Sequence, residues 1–256
     1  MIQETDQNYS IVGFIPARSG SKRIENKNIK LLNGHPLIAY TIESAKQSGI
    51  FDSIVCVTNS KIYADIAIYY GAEVPILRPD SISESSSPDI EWVQWIFRFL
   101  SENNRNYDAY CILRPTSPFR SKDTIRRGWD SFLCNQPSDS LRAVQKCIQH
   151  PGKMWEINGN RMTPLISGKV DKTPYHSSQY AALPEVYAQD ASLEIAWSEV
   201  PLKSNTISGN SIIPFLSSKY DGFDINSKED WILAEHYINN ALVELPKVDV
   251  DPYEFK

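Results

Sequence analysis

Short apolar runs alternate with longer amphipathic stretches over the first 150 residues. Ile11 to Ile15 (IVGFI), Ile54 to Val57 (IVCV) and Ala109 to Leu113 (AYCIL) are apolar almost without interruption. Runs of that length and make-up predict strands buried on both faces. Between and after them, Pro36 to Gln47, Lys61 to Tyr70, Glu91 to Leu100 and Lys122 to Phe132 place apolar residues at helical spacing. Pro36 suits a first helical position, and Gly71 suits a stop. Trp92, Trp95 and Phe99 give the third helix its core face. Leu141 to Cys147 predicts a further strand.

This order predicts an α/β fold: a mostly parallel sheet covered by helices on both faces. Ligands of such sheets sit beyond the carboxyl ends of the strands. The loops that matter therefore begin near Ala17, Thr58 and Arg114. The pattern changes after His150. Pro151 to Pro184 has few apolar runs and scattered Pro and Gly. It reads as an inserted lobe, expected over 151–187, within one domain spanning 1–256. Regular structure resumes at Leu193 to Trp197 and Ser211 to Phe215. A helix follows from Lys228 to Asn239, with Asn226 or Ser227 as its cap. The acidic tail from Pro246 reads as solvated chain.

Composition narrows the function. The 256 residues are 41% hydrophobic and 22% charged, which is enough for a sizeable core. No apolar run approaches the ~20 residues of a membrane helix. Met1 to Ser10 is polar, unlike a secretory signal. The net charge of −5 argues against a nucleic-acid surface. Cys56, Cys111, Cys134 and Cys147 form no C-x-x-C pair and read as buried free thiols of a cytoplasmic protein.

Charge is unevenly spread. Arg18, Lys22, Arg23, Lys27 and Lys30 fall within thirteen residues against one acid, Glu25, so Arg18 to Lys30 carries +4 in a chain of −5. Ser19, Gly20 and Ser21 let the backbone come close to an anion. A basic loop leaving the first buried strand suits a polyphosphate. The alternative is a merely solvated loop. The spacing fits neither a P-loop nor a dinucleotide fingerprint.

IPARSGSKRIENKN followed by IKLLNGHPLIAYTI resembles the N-terminal signature of the acylneuraminate cytidylyltransferase family. ILRP (76–79), LRPTSPFR (113–120), HPGKMW (150–155) and DINSKEDWILAE (224–235) follow in that family's order. The resemblance implies a Rossmann-like nucleotidyltransferase with a small projecting lobe that makes a homodimer. The implied reaction joins CTP to a 2-keto sugar acid, giving CMP-sugar and pyrophosphate with Mg²⁺. Sialic, legionaminic and pseudaminic types are the acceptors in view. Another nucleotide, another acidic acceptor or a non-catalytic binding role stays open. Carried over, Arg18, Ser21, Lys22, Lys27 and Asn28 match phosphate-holding positions, with Arg18 and Lys27 as the main transition-state contacts. Arg78 and Ser87 match positions near the cytosine. Asp224 matches the metal position, and Asn226 stands where a second carboxylate is expected, either as a metal-site residue binding through water or only as a cap of the following helix. Arg114, Ser117, Lys153, Gln189 and Asp190 match the acceptor side. Asp190 departs from the family there: an acid facing a carboxylate substrate repels it, so Asp190 either points elsewhere or selects a modified sugar.

Overall fold

The computed structural model describes residues 9–255. Along the chain, β1 is Ile11–Pro16, followed by a small antiparallel hairpin of β2 (Leu31–Leu32) and β3 (His35–Pro36). Helix α1 (Leu37–Ser48), β4 (Ser53–Val57), α2 (Lys61–Tyr69), α3 (Asp89–Glu102), β5 (Ala109–Ile112) and α4 (Lys122–Cys134) come next. After β6 (Ser140–Lys146) stand the short strands β7 (Trp155–Asn158), β8 (Arg161–Pro164), β9 (Lys169–Val170) and β10 (Thr173–Pro174). The chain ends with β11 (Tyr187–Trp197), α5 (Glu199–Lys203), β12 (Ile212–Leu216) and α6 (Lys228–Asn239).

The main sheet has the order β12-β6-β11-β5-β1-β4. β1 pairs parallel with β4 and β5, and β11 enters antiparallel to β5. The alternation of side chains along a strand divides the core. Ile11 and Ile15 of β1 pack with α1, α2 and α4 through Ile42, Ile66 and Ile125. Val12 and Phe14 pack on the opposite face with Trp92, Val93 and Ile96 of α3. Each such large side chain, fully buried, contributes roughly 1.5–3 kcal/mol relative to leaving it in water. This is the doubly covered sheet that the apolar runs predict. Trp92 is fully buried, while Trp95 and Phe99 pack at its margin.

Three features differ from the sequence reading, and one open choice is decided. Helix α3 starts at Asp89, two residues early, because acids suit its first turn. Of the four free cysteines, Cys56 and Cys111 are buried in strands, but Cys134 is exposed and Cys147 half-buried, outside the apolar runs. Of the two residues expected as the cap of α6, Ser227 takes that place, in a reciprocal box with Asp230. The tail is not solvated chain: Val248 and Tyr253 pack on the core, Tyr253 N donates to Tyr70 Oη at 3.0 Å, and Gln47 Nε2 donates to the Lys247 carbonyl at 2.8 Å.

Contacts separate a second compact unit, Val144–Gln189, from the remainder. Its β7–β8 hairpin is almost wholly exposed. His150 organises its interior: Nδ1 accepts from Gly152 N at 2.9 Å and Nε2 donates to the Pro184 carbonyl at 3.0 Å. That pair of contacts fixes the neutral tautomer with the proton on Nε2. Leu183 is the buried aliphatic side chain of this unit.

Candidate active site

The carboxyl ends of β1 and β5 open on a cavity of about 300 Å³. The basic loop forms one wall. It is not a loose segment, because Ile24 is buried among the charges and packs with Leu37, Ile225 and Trp231. Ser19 N and Oγ both reach Asn59 Oδ1, at 2.9 and 3.2 Å, which ties the loop to the chain after β4. Gly20 has φ +75°, a left-handed turn that glycine adopts freely. Asn28, buried, donates to the Arg18 carbonyl at 3.3 Å. The result brings Arg18, Ser21, Lys27 and Asn28 to the cavity. Lys22 is exposed and does not line it, nor do Arg23 and Lys30. Lys30 instead lies over the Trp231 ring at 4.4 Å.

Lys27 Nζ donates to the Ile225 carbonyl at 2.6 Å. Burial lowers its pKa, with Asp224 working the other way and not fully offsetting it. Ile225 itself is fully buried, so the residues on either side, Asp224 and Asn226, are turned toward the cavity. Asp224 Oδ2 accepts from Asn226 Nδ2, and Asn226 Oδ1 accepts from Arg23 Nη2 at 3.1 Å. Asp224 Oδ1 is buried and has no hydrogen-bond partner among the described residues. A buried carboxylate oxygen costs free energy unless something meets it. No group of three or more His, Cys, Asp or Glu side chains that could hold a metal occurs among the described residues. The donor set therefore fits a hard cation that takes one protein carboxylate and keeps water and phosphate oxygens, as magnesium does. It does not fit an all-protein cage.

The opposite wall comes from α3 and from the loop after β5. Arg114 bonds Glu194 Oε1 at 2.9 Å and Asp89 Oδ2 at 2.5 Å, and Arg142 shares Glu194 from the other side. Burial opposes the Arg114 charge, but the two carboxylates outweigh it and raise its pKa. Burial likewise works to raise the Asp89 carboxyl, but Arg114 and the Trp92 indole N–H overcome it and hold it below the usual range. Arg78 is 5% exposed and donates through Nε to the Ile82 carbonyl at 2.9 Å. Burial pushes Arg78 down to about 10, with Asp89 opposing. Ser87 lines the same cavity.

The cavity thus gathers Arg18, Ser21, Lys27, Asn28, Arg78, Ser87, Arg114, Asp224 and Asn226 from five separate stretches of chain. Ser117 does not line it: it is 1% exposed, and its Oγ has no partner among the described residues. Lys153 and Gln189 belong to the second unit, where Lys153 Nζ donates to the His176 carbonyl at 3.3 Å. Asp190 is 6% exposed and does not line the cavity. It points elsewhere because Ser192 and Ser217 take up both carboxylate oxygens. Glu84, Ser85 and Thr116 line the cavity without having been singled out from the sequence. Glu84 and Ser85 sit in a serine-rich stretch that reads only as a loop, and Thr116 sits inside the LRPTSPFR motif.

A family model described as Cytidylyltransferase matches residues 12–156. The chain is 39% identical over 157 residues to the pseudaminic acid cytidylyltransferase of Campylobacter jejuni subsp. jejuni, covering 61% of this chain and 67% of that protein. It is 46% identical over 117 residues to the CMP-N,N'-diacetyllegionaminic acid synthase of Legionella pneumophila, covering 45% of this chain and 50% of that one. Among solved structures, CMP:2-keto-3-deoxy-manno-octonic acid synthetase complexed with CTP matches with a TM-score of 0.67 at 12% identity, over 91% of this chain and 99% of the other. At that identity the likeness speaks for the fold alone.

Proposed function

The chain belongs to the cytidylyltransferase family, and from that premise we propose that it transfers CMP from CTP to a nonulosonic-type 2-keto sugar acid. The anomeric hydroxyl oxygen bonds to the α-phosphorus. The bond from that phosphorus to the β-phosphate bridging oxygen breaks, and pyrophosphate leaves. The observation that carries this reading is the juxtaposition, in one cavity, of Arg18, Ser21 and Lys27 with Asp224, whose buried Oδ1 has no partner among the described residues.

Nucleotidyl transfer asks mainly for positioning and charge neutralisation. Arg18 and Lys27 supply positive charge where phosphate charge builds up. Ser21 and Asn28 add neutral donors. Arg78 and Ser87, on the far side, hold the cytosine edge. Arg114 lies toward the acceptor. Asp224 would hold magnesium, which would supply positive charge to neutralise the triphosphate. Asn226 acts through Asp224, whose Oδ2 it holds, rather than as a second anionic ligand.

The acceptor class rests on the relatives, whose names specify pseudaminic and diacetyllegionaminic acids. Asp190 does not select it, since that carboxylate is turned away from the cavity. We take the nucleotidyltransferase domain as spanning 1–256, with 151–187 as an inserted lobe. That lobe exposes Trp155, Ile157 and Met162, which suits pairing with a second copy. No helix among the described residues is long and apolar enough to cross a membrane, and unpaired thiols suit a reducing cytoplasm. The test is pyrophosphate release with magnesium, crossing CTP, UTP, ATP and GTP against sialic, legionaminic, pseudaminic and ketodeoxy sugar acids. Turnover confined to CTP and a nonulosonic acid supports the reading. Turnover with another nucleotide, or none with any pair, overturns it.

A further inference from the structure

Arg120 and Asp190 are buried charged side chains, 1% and 6% exposed, and neither lines the cavity. Ser192 joins them. Asp190 Oδ1 accepts from Ser192 N at 2.9 Å and from Ser192 Oγ at 2.5 Å, while the Ser192 carbonyl accepts from Arg120 Nη1 at 2.6 Å. Beyond Ser192 the two side chains reach in different directions. Arg120 Nη1 donates to the Arg114 carbonyl at 3.3 Å, and Nη2 donates to Thr41 Oγ1 at 3.0 Å. Asp190 Oδ2 accepts from Ser217 Oγ at 2.5 Å. Gly222 passes so close that a Cβ placed there would lie 2.6 Å from the same oxygen. Asp224 follows two residues later.

Burying two charges is costly unless their hydrogen bonds are met. Here nearly all are, although Arg120 Nε has no partner among the described residues. A hydrophobic filling of this space would cost less, and it would not fix two loops in relation to each other. A metal held by a single protein carboxylate needs that carboxylate within about 0.5 Å of its working position.

We propose that Arg120, Ser192 and Asp190 form a buried staple that sets the loop bearing Asp224 against the loop bearing Arg114. Arg120 and Asp190 are thus positioning residues. Asp190 acts on Asp224 through Ser217 and Gly222, and Arg120 acts on the main chain of Arg114. The link to metal binding rests on the function proposed above, whereas the tie between the loops does not.

The experiment compares Ser217→Ala, Asp190→Ala and Asp190→Asn with the wild-type protein. Hydrogen exchange of the 218–226 amides, without ligand, reads the tie. Titration of Mn²⁺ in the presence of CTP, followed by electron paramagnetic resonance, reads the consequence. Ser217→Ala removes one hydroxyl from a half-buried loop and leaves the buried charges in place, so it is the variant least exposed to a folding defect. It is expected to speed exchange across 223–226 about tenfold, leave β1 and β5 unchanged, and raise the Mn²⁺ half-saturation at least fivefold. Asp190→Ala should do the same or more. Asp190→Asn keeps Oδ1 as an acceptor and faces Ser217 with an amide that can donate, so it should stay within twofold of wild type in both readouts. Unchanged exchange in Ser217→Ala overturns the staple. Faster exchange with Mn²⁺ half-saturation unmoved overturns the positioning of Asp224. Equal damage from Asp190→Asn and Asp190→Ala also overturns it. A wild-type protein that takes up no Mn²⁺ with CTP would count against the proposed function and against the metal half of this proposal, and the exchange result would then decide the tie alone.

Discussion

Arg18 and Arg114 face the same cavity, yet their guanidinium groups are held in different ways. Arg114 is gripped by Asp89 and Glu194, and Glu194 is itself shared with Arg142. Arg18 makes no side-chain hydrogen bond or ion pair among the described residues, and its carbonyl is what Asn28 binds. Lys27 stands between the two cases, with one bond to a carbonyl and partial burial that lowers its pKa. One wall therefore keeps its positive charge available for an incoming anion. The other commits its charge to carboxylates and gains a fixed shape. A polyphosphate can draw on Arg18 without breaking any side-chain contact among the described residues, and on Lys27 beside its one bond to a carbonyl. Anything that draws on Arg114 must compete with two carboxylates already in place.

The contrast fails if the committed wall proves dispensable for stability. Glu194→Gln removes the carboxylate between Arg114 and Arg142 and leaves two largely buried cations under-compensated. Breaking such a buried pair costs roughly 3–5 kcal/mol, and urea unfolding should show a loss of that order. Substitution on the free wall should behave in the opposite way. Lys27→Ala is expected to lower turnover by about 10²–10³, in line with removing one preorganised donor at developing charge, and to leave the melting temperature nearly unchanged. Similar losses in both quantities for both variants would erase the distinction.

The pH dependence sharpens it further. Lys27 is charged below its pKa, and burial moves that pKa below 10.5. Activity that depends on the charge should therefore fall as pH rises through this lowered value, before an ordinary lysine would titrate. Lys27→Arg should push that alkaline limb upward, because a guanidinium stays charged. A limb that stays put in Lys27→Arg assigns it to another group. The smallest effect is expected at Lys22, which is exposed and off the cavity. Lys22→Ala should change stability and turnover by less than about 0.5 kcal/mol, and a tenfold fall in kcat/KM would bring it back into the site.

The fold was legible because β1, β4 and β5 are apolar on both faces and the helices between them carry one apolar stripe each. The basic loop was legible from its charge alone. Its anchor was not: Ile24 and Ile225 look like stray apolar residues until Leu37 and Trp231 enclose them. Motif order pointed to Arg18, Lys27, Arg78 and Asp224. It could not tell which cations are free, because Glu194, which binds Arg114 and Arg142 alike, is brought there by pairing across the sheet. For the same reason the sequence left open whether Asp190 points elsewhere or selects a modified sugar. Its partners Ser192 and Ser217 are hydroxyls at no recognisable spacing, and their bonds, with the close passage of Gly222, show that the carboxylate is turned away from the cavity. The tail misled because acidic residues outnumber Val248 and Tyr253, whose packing decides where it lies.

The most direct test is a crystal structure with CTP and magnesium. The triphosphate should lie against Arg18, Ser21 and Lys27, the cytosine against Arg78 and Ser87, and the metal against Asp224 Oδ1, with the Arg114–Glu194 pair intact. A nucleotide bound outside this cavity, or a triphosphate seated on Arg114 with Arg18 and Lys27 turned away, would contradict the account.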